Sequence, residues 1–249
     1  MSSPRITMIT AALNPGPEVA ETIDSVLSQS RPGLQYIFVD GGSRPEAFAR
    51  VQPYAHHFSC LVREPDRGIS DAWNKALALA EGDVVGILNA DDHLLPGALD
   101  HVSQAFGAHP GALQVVHGDA IRLDGTQRSR CRPRATSAAS WYLGMPLVHP
   151  ATFVARSVYR RVGGFNCDRR IAMDYDFLLR AWRAGASFRH IAEPLVVMRG
   201  GGLSDRLPLV GFHDVRTSQI EAGLNRPLIE TLHAARVLTR RYIRPMFGR

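Results

Sequence analysis

Two adjacent carboxylates, Asp91 and Asp92, follow an apolar run at residues 84–88. If that run is a buried strand, two like charges stand at its end, where one must be protonated or a cation must lie between them. Carboxylate oxygens suit hard divalent ions such as Mg²⁺ or Mn²⁺, which bind one or two protein carboxylates together with substrate phosphates. The pair therefore indicates a metal site for a phosphorylated ligand. The alternative is a solvated turn after the strand.

The elements that must position this pair are strands separated by helices. Runs at 6–10, 36–39 and 84–88 predict three strands, and apolar residues at helical spacing predict helices near 19–27 and 69–80. This alternation predicts an α/β fold with a mostly parallel central sheet flanked by helices. Because ligands bind outside the carboxyl ends of such strands, we expect residues 11–14, Asp40 and the Asp91/Asp92 pair on one rim.

The second half of the chain has a different pattern. Segments 114–117 and 120–123, followed by Asp124-Gly125, predict strands and a hairpin, and residues 174–182 predict a helix with acidic residues at its start. Three glycines at 200–202 predict a flexible loop that closes over ligands. The arginines between 122 and 134 form either a solvated hairpin face or a basic wall towards an acceptor.

Residues 226–249 predict a basic amphipathic C-terminal helix, in which six arginines are opposed by Glu230 alone. Its apolar stripe consists of Leu228, Leu232, Ala235, Leu238 and Tyr242. The pattern fits a helix lying on an anionic membrane surface. It fits equally a helix packed on the preceding domain with its arginines in solvent.

Composition restricts the class of protein. The chain has 249 residues, 45% apolar and 21% charged, which suits one large globular domain. The absence of an 18-residue apolar run and of a signal-peptide pattern, with three widely spaced cysteines, predicts a cytoplasmic protein without a membrane span. Residues 1–110 carry a net charge of −6 and residues 111–249 one of +12. With no zinc-finger spacing or RNA-binding aromatic pattern, nucleic acid is not expected as the partner.

Several short motifs occur in order along the chain, and none is specific alone. They are TAALN at 10–14, VDGGS at 39–43, DRGISDAWNK at 66–75, NADD at 89–92, VHPATF at 148–153, GGF at 163–165, DYD at 174–176 and GGLS at 201–204. Together they resemble family 2 of the inverting glycosyltransferases, which have the GT-A fold. The resemblance covers roughly residues 5–205 and is carried by the number of motifs in register.

The resemblance implies a role for each matching position on the donor side. Asp40 matches the carboxylate that recognises the base of a nucleotide-sugar donor, and the backbone between Ala11 and Asn14 would contact the nucleotide. Asp91 and Asp92 match the end of the family's DxD-type motif, where a metal ion bridges the donor diphosphate. The first acid of that motif is replaced here by Asn89. Further donor-side candidates on the segment before the third strand are Asp66, Gly68, Asp71 and Asn74.

On the acceptor side, Asp174 matches the family's catalytic base. An acceptor hydroxyl must lose a proton as it attacks, and an acid on a separate element is placed to take it. Asp176 is the second candidate, with a structural role at the helix start as its alternative. His149 either lines the acceptor site or is a satisfied core histidine.

These residues predict a metal-dependent inverting glycosyltransferase of the hexosyltransferase type. It would use Mn²⁺ or Mg²⁺ and move a sugar from a nucleotide-diphospho-sugar to a hydroxyl of a glycan or lipid-linked acceptor. We expect one domain at 1–225, with a nucleotide-sugar and metal half at 1–110, an acceptor half at 111–225 and the tail at 226–249. The resemblance implies a bacterial enzyme of surface-polysaccharide or glycolipid assembly, with peripheral contact to the inner membrane face through the tail.

Two other functions are compatible with a metal and a nucleotide on an α/β rim. A nucleotidyltransferase would need an early glycine-rich basic phosphate loop, and residues 14–18 do not form one. A non-catalytic nucleotide-sugar-binding protein would be favoured by loss of Asp92 or Asp174, and both are present.

Overall fold

A computed structural model describes residues 3–107 and 112–243. Within these residues one sheet contains nine strands: β1 Ile6–Ala12, β2 Leu34–Asp40, β3 Cys60–Arg63, β4 Val84–Ile87, β5 His93–Leu94, β6 Gln114–Asp124, β7 Gln127–Cys131, β8 Thr152–Ala155 and β9 Ser187–Arg199. Their order in the sheet is β3-β2-β1-β4-β8-β6-β9-β5, and β7 pairs with β6. The sheet therefore runs without a break through both halves of the chain.

The helices of the described residues flank this sheet. They are α1 Val19–Leu27, α2 Pro45–Phe48, α3 Ile69–Leu79, α4 Ala98–Phe106, α5 Ala138–Tyr142, α6 Arg156–Val162, α7 Met173–Arg183, α8 Leu203–Arg206, α9 Pro208–Glu221 and α10 Arg226–Leu238. Short 3₁₀ turns occur at Gln52–His57 and His149–Ala151. The predicted stripe of α1 is buried at Val19, Ile23 and Val26, as helical periodicity requires of a helix packed on a sheet.

The first four strands of the sheet order are parallel. β1 pairs in parallel with β2 and with β4, and β2 pairs in parallel with β3. Because parallel strands run in the same direction, their carboxyl ends lie at one edge of the sheet. That edge carries the segment after β1, Asp40 at the end of β2, and the residues after β4. The predicted rim is therefore present.

The second half makes the sheet mixed, whereas the sequence predicted a mostly parallel one. β8 lies antiparallel to both of its neighbours, β4 and β6, and the chain reverses its direction at the hairpin between β6 and β7. The segments predicted as two strands at 114–117 and 120–123 form the single strand β6, with a bulge opposite β9. A Cβ on Gly118 would lie 2.5 Å from Leu195, so only glycine permits this approach of the two strands.

The C-terminal helix α10 packs along α9. Ile229 is its buried residue, and Arg216 of α9 forms an ion pair with Glu230. Most of the stripe predicted from the sequence faces solvent instead, since Leu228, Leu238 and Tyr242 are 43–57% exposed. Residues 244–249, including two of the six arginines, lie outside the described residues. No helix within 3–107 and 112–243 has the length and hydropathy needed to cross a membrane.

Candidate active site

A groove of about 600 Å³ opens at the carboxyl edge of the sheet. Its walls come from the segment after β1, the start of α3, the segment after β4, the start of α7, the end of β9 and α8. The residues that carry its chemistry are Ala11, Trp73, Asn89, Asp91, Asp92, Arg122, His149, Arg170, Asp174, Arg199 and Asp205. The structure thus brings the predicted metal pair and the predicted base into one cavity.

Asp92 is buried, whereas Asp91 is exposed at the groove surface. Asp92 Oδ2 accepts a hydrogen bond from Asn89 Nδ2 at 2.9 Å, and its Oδ1 accepts one from the Arg199 backbone N–H at 2.9 Å. Burial and the neighbouring Asp91 raise the pKa of Asp92 to about 7, and burial also raises the pKa of Asp91. This carboxylate pair carries more negative charge than its neighbours compensate, which favours binding of a cation.

The residues present fit a hard divalent ion that is shared with a ligand. Among residues 3–107 and 112–243, no cluster of three or more His, Cys, Asp or Glu side chains is arranged to hold a metal by itself. Mg²⁺ and Mn²⁺ need fewer protein ligands when phosphates complete the coordination. Each Asp92 oxygen accepts one hydrogen bond and keeps acceptor capacity, and Asp91 is open to the groove.

Asp174 lies in the first turn of α7 and faces the groove. Its neighbour His149 belongs to the 3₁₀ turn before β8, and the His149 ring stacks on Trp73 with centroids 5.0 Å apart. Burial lowers the pKa of His149, and the Asp174 carboxylate opposes this only partly. The imidazole is therefore a neutral ring that fixes the wall beside Asp174. Trp73 is buried and also lines the groove.

Asp40, expected from the resemblance to contact the donor base, does not line the groove, and that contact stays a prediction. Its side chain is 1% exposed, accepts hydrogen bonds from the Ser43 N–H and lies 3.1 Å from Arg63 Nε. The carboxylate at the end of β2 therefore stabilises the turn at 40–43. It lies at the carboxyl edge of the sheet but does not line the groove, because its side chain is bound within the turn at 40–43.

The remaining donor-side candidates build the loops around the groove. Asn14, at φ 52°, receives the Arg44 N–H on its Oδ1 and donates its own N–H to Ser43 Oγ, so it joins the segment after β1 to the one after β2. Asp66 Oδ1 accepts the N–H of Gly68 at 2.8 Å. A Cβ on Gly41 would lie 2.0 Å from Asp66 Oδ2, so a larger residue there would displace the Asp66 carboxylate. Of this set, Ala11 lines the groove directly.

Asn74 and Asp176 lie outside the groove. Asn74 Nδ2 donates to the Phe165 carbonyl and its Oδ1 accepts the Phe165 N–H, both at 2.8 Å, so its amide joins α3 to the segment before α7. Asp176 is buried and accepts a hydrogen bond from Arg180 Nε at 2.9 Å, with Arg169 at 3.7 Å. In this structure the Asn74 amide is bound to Phe165, and Asp176 joins α7 to Arg169 and Arg180; ligand contact by either residue stays a prediction.

Three groove arginines were not predicted as site residues from the sequence. Arg199 reaches Asp92 through its backbone N–H, a donor that every residue type offers, so no sequence signal marks it. Arg170 is an exposed groove residue without a hydrogen-bond or ion-pair partner among the described residues. Arg122 pairs with Asp205 of α8 at 2.8 Å and with Asp124, which ties α8 to β6. In the group between 122 and 134 it is the member that lines the groove.

Comparisons with known proteins agree with this geometry. The model of glycosyl transferase family 2 matches residues 7–164. An uncharacterised glycosyltransferase of Mycobacterium tuberculosis is 32% identical over 185 residues, which cover 72% of this chain and 70% of the relative. Two solved structures have a similar fold.

The first is TarS 1–349 of S. aureus in complex with UDP-GlcNAc, with a TM-score of 0.68 and 14% identity over 93% of this chain and 71% of that one. The second is the mannosyltransferase PcManGT of Pyrobaculum calidifontis in complex with GDP-Man and Mn²⁺, with a TM-score of 0.65 and 21% identity over 97% and 71%. These similarities identify the fold as GT-A. With the family match over most of the chain, they show that this protein is a glycosyltransferase belonging to glycosyl transferase family 2.

Proposed function

We propose that the enzyme is a metal-dependent inverting glycosyltransferase that moves a sugar from a nucleotide-diphospho-sugar to a hydroxyl of a glycan or glycolipid. The observation that carries the proposal is the shared groove, which the Asp91/Asp92 pair and Asp174 line from separate elements. A carboxylate pair suits a diphosphate neutralised by a hard cation, and a further carboxylate suits proton transfer. The complexes of TarS and PcManGT with nucleotide sugars support a donor of that class.

On the donor side, Asp91 and Asp92 would hold a Mn²⁺ or Mg²⁺ ion between the protein and the diphosphate. When bound, such an ion acts as a Lewis acid that neutralises the charge of the leaving nucleoside diphosphate. Asn89 and the Arg199 backbone N–H orient Asp92 for this role. The segment containing Ala11 forms the adjoining wall against the nucleotide.

On the acceptor side, Asp174 accepts the proton of the attacking hydroxyl. The bond from the anomeric carbon to the acceptor oxygen forms while the bond to the diphosphate oxygen breaks on the opposite face. The configuration at the anomeric carbon is inverted in this single step. His149 and Trp73, which stack on each other, form the wall next to Asp174.

The same proposal places the enzyme at the cytoplasmic face of a bacterial membrane, with the surface of α10 as the contact. Leu228 and Leu238 of α10 and Tyr242 in the turn that follows it are exposed, and Arg226 and Arg241 are exposed on the same C-terminal segment, a combination that suits an anionic lipid surface. Peripheral contact would confine the search for a lipid-linked acceptor to two dimensions.

The test begins with saturation-transfer NMR on a panel of nucleotide sugars, followed by turnover with the donor that binds. We expect Asp174→Asn to bind donor with near-normal affinity and to lose about 10²–10⁴-fold in kcat, as is typical for removal of a general base. Asp100→Asn, at an exposed carboxylate of α4, is the matched control and should keep full turnover. The anomeric configuration of the product, measured by NMR, tests inversion directly.

If Asp174→Asn instead lost donor binding but kept turnover of the donor that it bound, Asp174 would not be the catalytic base. Release of pyrophosphate instead of a nucleoside diphosphate would indicate nucleotidyl transfer. Membership of glycosyl transferase family 2 favours release of the nucleoside diphosphate.

A further inference from the structure

A second cavity, which we call the α9 cavity, adjoins the groove. Its volume is about 390 Å³, within the range of small-molecule sites. It shares Ile171, Asp174 and Ser204 with the groove, so Asp174 borders both spaces. The remaining lining residues are Leu143, Gly144, Met145, Ala172, Tyr175, Pro208, Gly211, Phe212, Val215 and Arg236.

The lining of the α9 cavity is apolar on most sides. Phe212 and Val215 of α9 face it from one side, and Met145 lies in the segment after α5. The Tyr175 hydroxyl, one of the polar groups of the wall, already donates to the Trp141 carbonyl. A glycan needs many hydrogen-bond partners, and this wall offers few. Apolar surface also continues outwards at Leu143, which is 54% exposed.

Among the residues that the structure describes, Arg236 of α10 is the one cation that lines this cavity, together with the Asp174 carboxylate. Arg236 donates to the Tyr142 carbonyl and forms no ion pair with a carboxylate among the described residues. Burial and the nearby Arg134 lower the pKa of Arg236, because a second positive charge adds to the loss of solvent. A half-buried cation in this state gains from an anionic group of a ligand.

We propose that the α9 cavity binds the apolar chain of an amphiphilic acceptor and that Arg236 binds a phosphate group carried by that acceptor. This assignment rests on the proposed function, because it is the hydroxyl presented to Asp174 that makes the ligand an acceptor. The donor occupies the groove with its diphosphate at Asp91 and Asp92. The acceptor must therefore approach Asp174 from another side, and the α9 cavity reaches the same residue.

The test uses decyl phosphate as the probe and the full chain, with binding measured by isothermal titration calorimetry below the micelle concentration. We expect decyl phosphate to bind and inorganic phosphate to bind at least tenfold more weakly. Val215→Trp fills the cavity and should weaken decyl phosphate binding at least tenfold. His213→Trp adds the same side chain on the exposed face of α9 and should leave binding unchanged. Thermal unfolding of both variants checks that each is folded.

The charge is tested separately, so that the proposal does not depend on one substitution. Arg236→Gln should weaken decyl phosphate at least tenfold and leave decyl maltoside, which has no charge, unaffected. Arg241→Gln removes one charge from the exposed end of the same segment and should have no effect on either probe. Equal binding of decyl phosphate by wild type, Val215→Trp and Arg236→Gln would overturn the assignment.

Nucleotide binding separates this proposal from the proposed function. UDP and GDP should bind Val215→Trp and Arg236→Gln as they bind the wild type, since both substitutions lie outside the groove. Donor-dependent transfer to a water-soluble glycan without any binding of decyl phosphate would overturn the α9 assignment and keep the proposed function. Binding of decyl phosphate without binding of any nucleotide would overturn the proposed function and keep the α9 cavity as a site for an amphiphilic phosphate.

Discussion

At the scale of single residues, Asp92 is the groove carboxylate whose ionisation is most strongly disfavoured by burial. Its pKa of about 7 means that the folded, metal-free protein retains a proton that the unfolded chain loses near pH 4. A raised pKa makes a stabilising contribution that is complete below the unfolded value and is lost as the pH rises through the folded value. Stability of the metal-free protein should therefore fall between about pH 4 and 7.

Asp92→Asn should remove most of this pH dependence. We expect the wild type in excess EDTA to lose on the order of 2–4 kcal/mol of unfolding free energy through Asp92 between pH 5 and 8, and the variant to lose less. Denaturant unfolding at the two pH values measures the difference. The conservative change Asp100→Asn, at an exposed position, should follow the wild type.

Binding of Mn²⁺ at Asp92 should offset the loss of stability that the metal-free protein shows at high pH. A proton and a cation compete for Asp92, so added Mn²⁺ should raise the unfolding temperature more at pH 8 than at pH 6. Asp92→Asn should lose both this stabilisation and nearly all transferase activity. Full transfer activity of the wild type in excess EDTA would contradict the role of the pair as a metal site.

At the scale of elements, Asn74 shows how α3 is held to the second half of the chain. Its amide both donates to and accepts from Phe165, so removal leaves two backbone groups without partners. Asn74→Ala should lower the free energy of unfolding by about 1–3 kcal/mol, with an unchanged Kd for the nucleotide. Asn74→Asp keeps the bond from the Phe165 N–H and loses the other, so its loss should be smaller. A large change in nucleotide affinity without loss of stability would return Asn74 to the donor site.

The strands that carry the site could be predicted from the sequence because each ends in a change from apolar to polar residues. Parallel pairing then places those ends on one edge, which brought residues 11–14 and the Asp91/Asp92 pair together correctly. The placement of Asn74 and Asp176 could not be predicted this way. Asn74 binds a residue 91 positions away, and Asp176 binds Arg169 as well as its helical neighbour Arg180. Side-chain contacts of that kind leave no periodic pattern in the sequence.

In the second half of the chain, too, the features that depend on local sequence could be predicted and those that depend on long-range contacts could not. Helix α7 was predicted at nearly its observed bounds because its acidic start and apolar stripe lie within one helix. The position of β8 between β4 and β6 pairs residues that lie far apart in the sequence, and no local pattern records that pairing. The α9 cavity is formed by segments from 143 to 236 and is visible only in three dimensions.

At the scale of the whole molecule, the exposed face of α10 lies apart from the catalytic groove. Leu238→Ser combined with Tyr242→Ser should reduce co-sedimentation with vesicles rich in anionic lipid and leave turnover of soluble substrates unchanged, because both side chains face solvent. Leu79→Ser, at an exposed leucine of α3, is the matched control. Vesicle binding of the wild type that is independent of lipid charge and salt would leave α10 with its packing on α9 as its only role.

The stacked pair formed by Trp73 and His149 gives the protein an intrinsic optical probe. The chain has three tryptophans, and Trp73 is the one that lines the groove; Trp141 is buried and Trp182 packs near it on α7. Indole emission depends on the polarity and the stacking partner of the ring. Occupation of the groove should therefore change the emission of Trp73 and leave that of Trp141 and Trp182 constant. The difference between the spectra of the wild type and Trp73→Phe isolates the Trp73 signal. Ligand binding can then be followed in real time without a label.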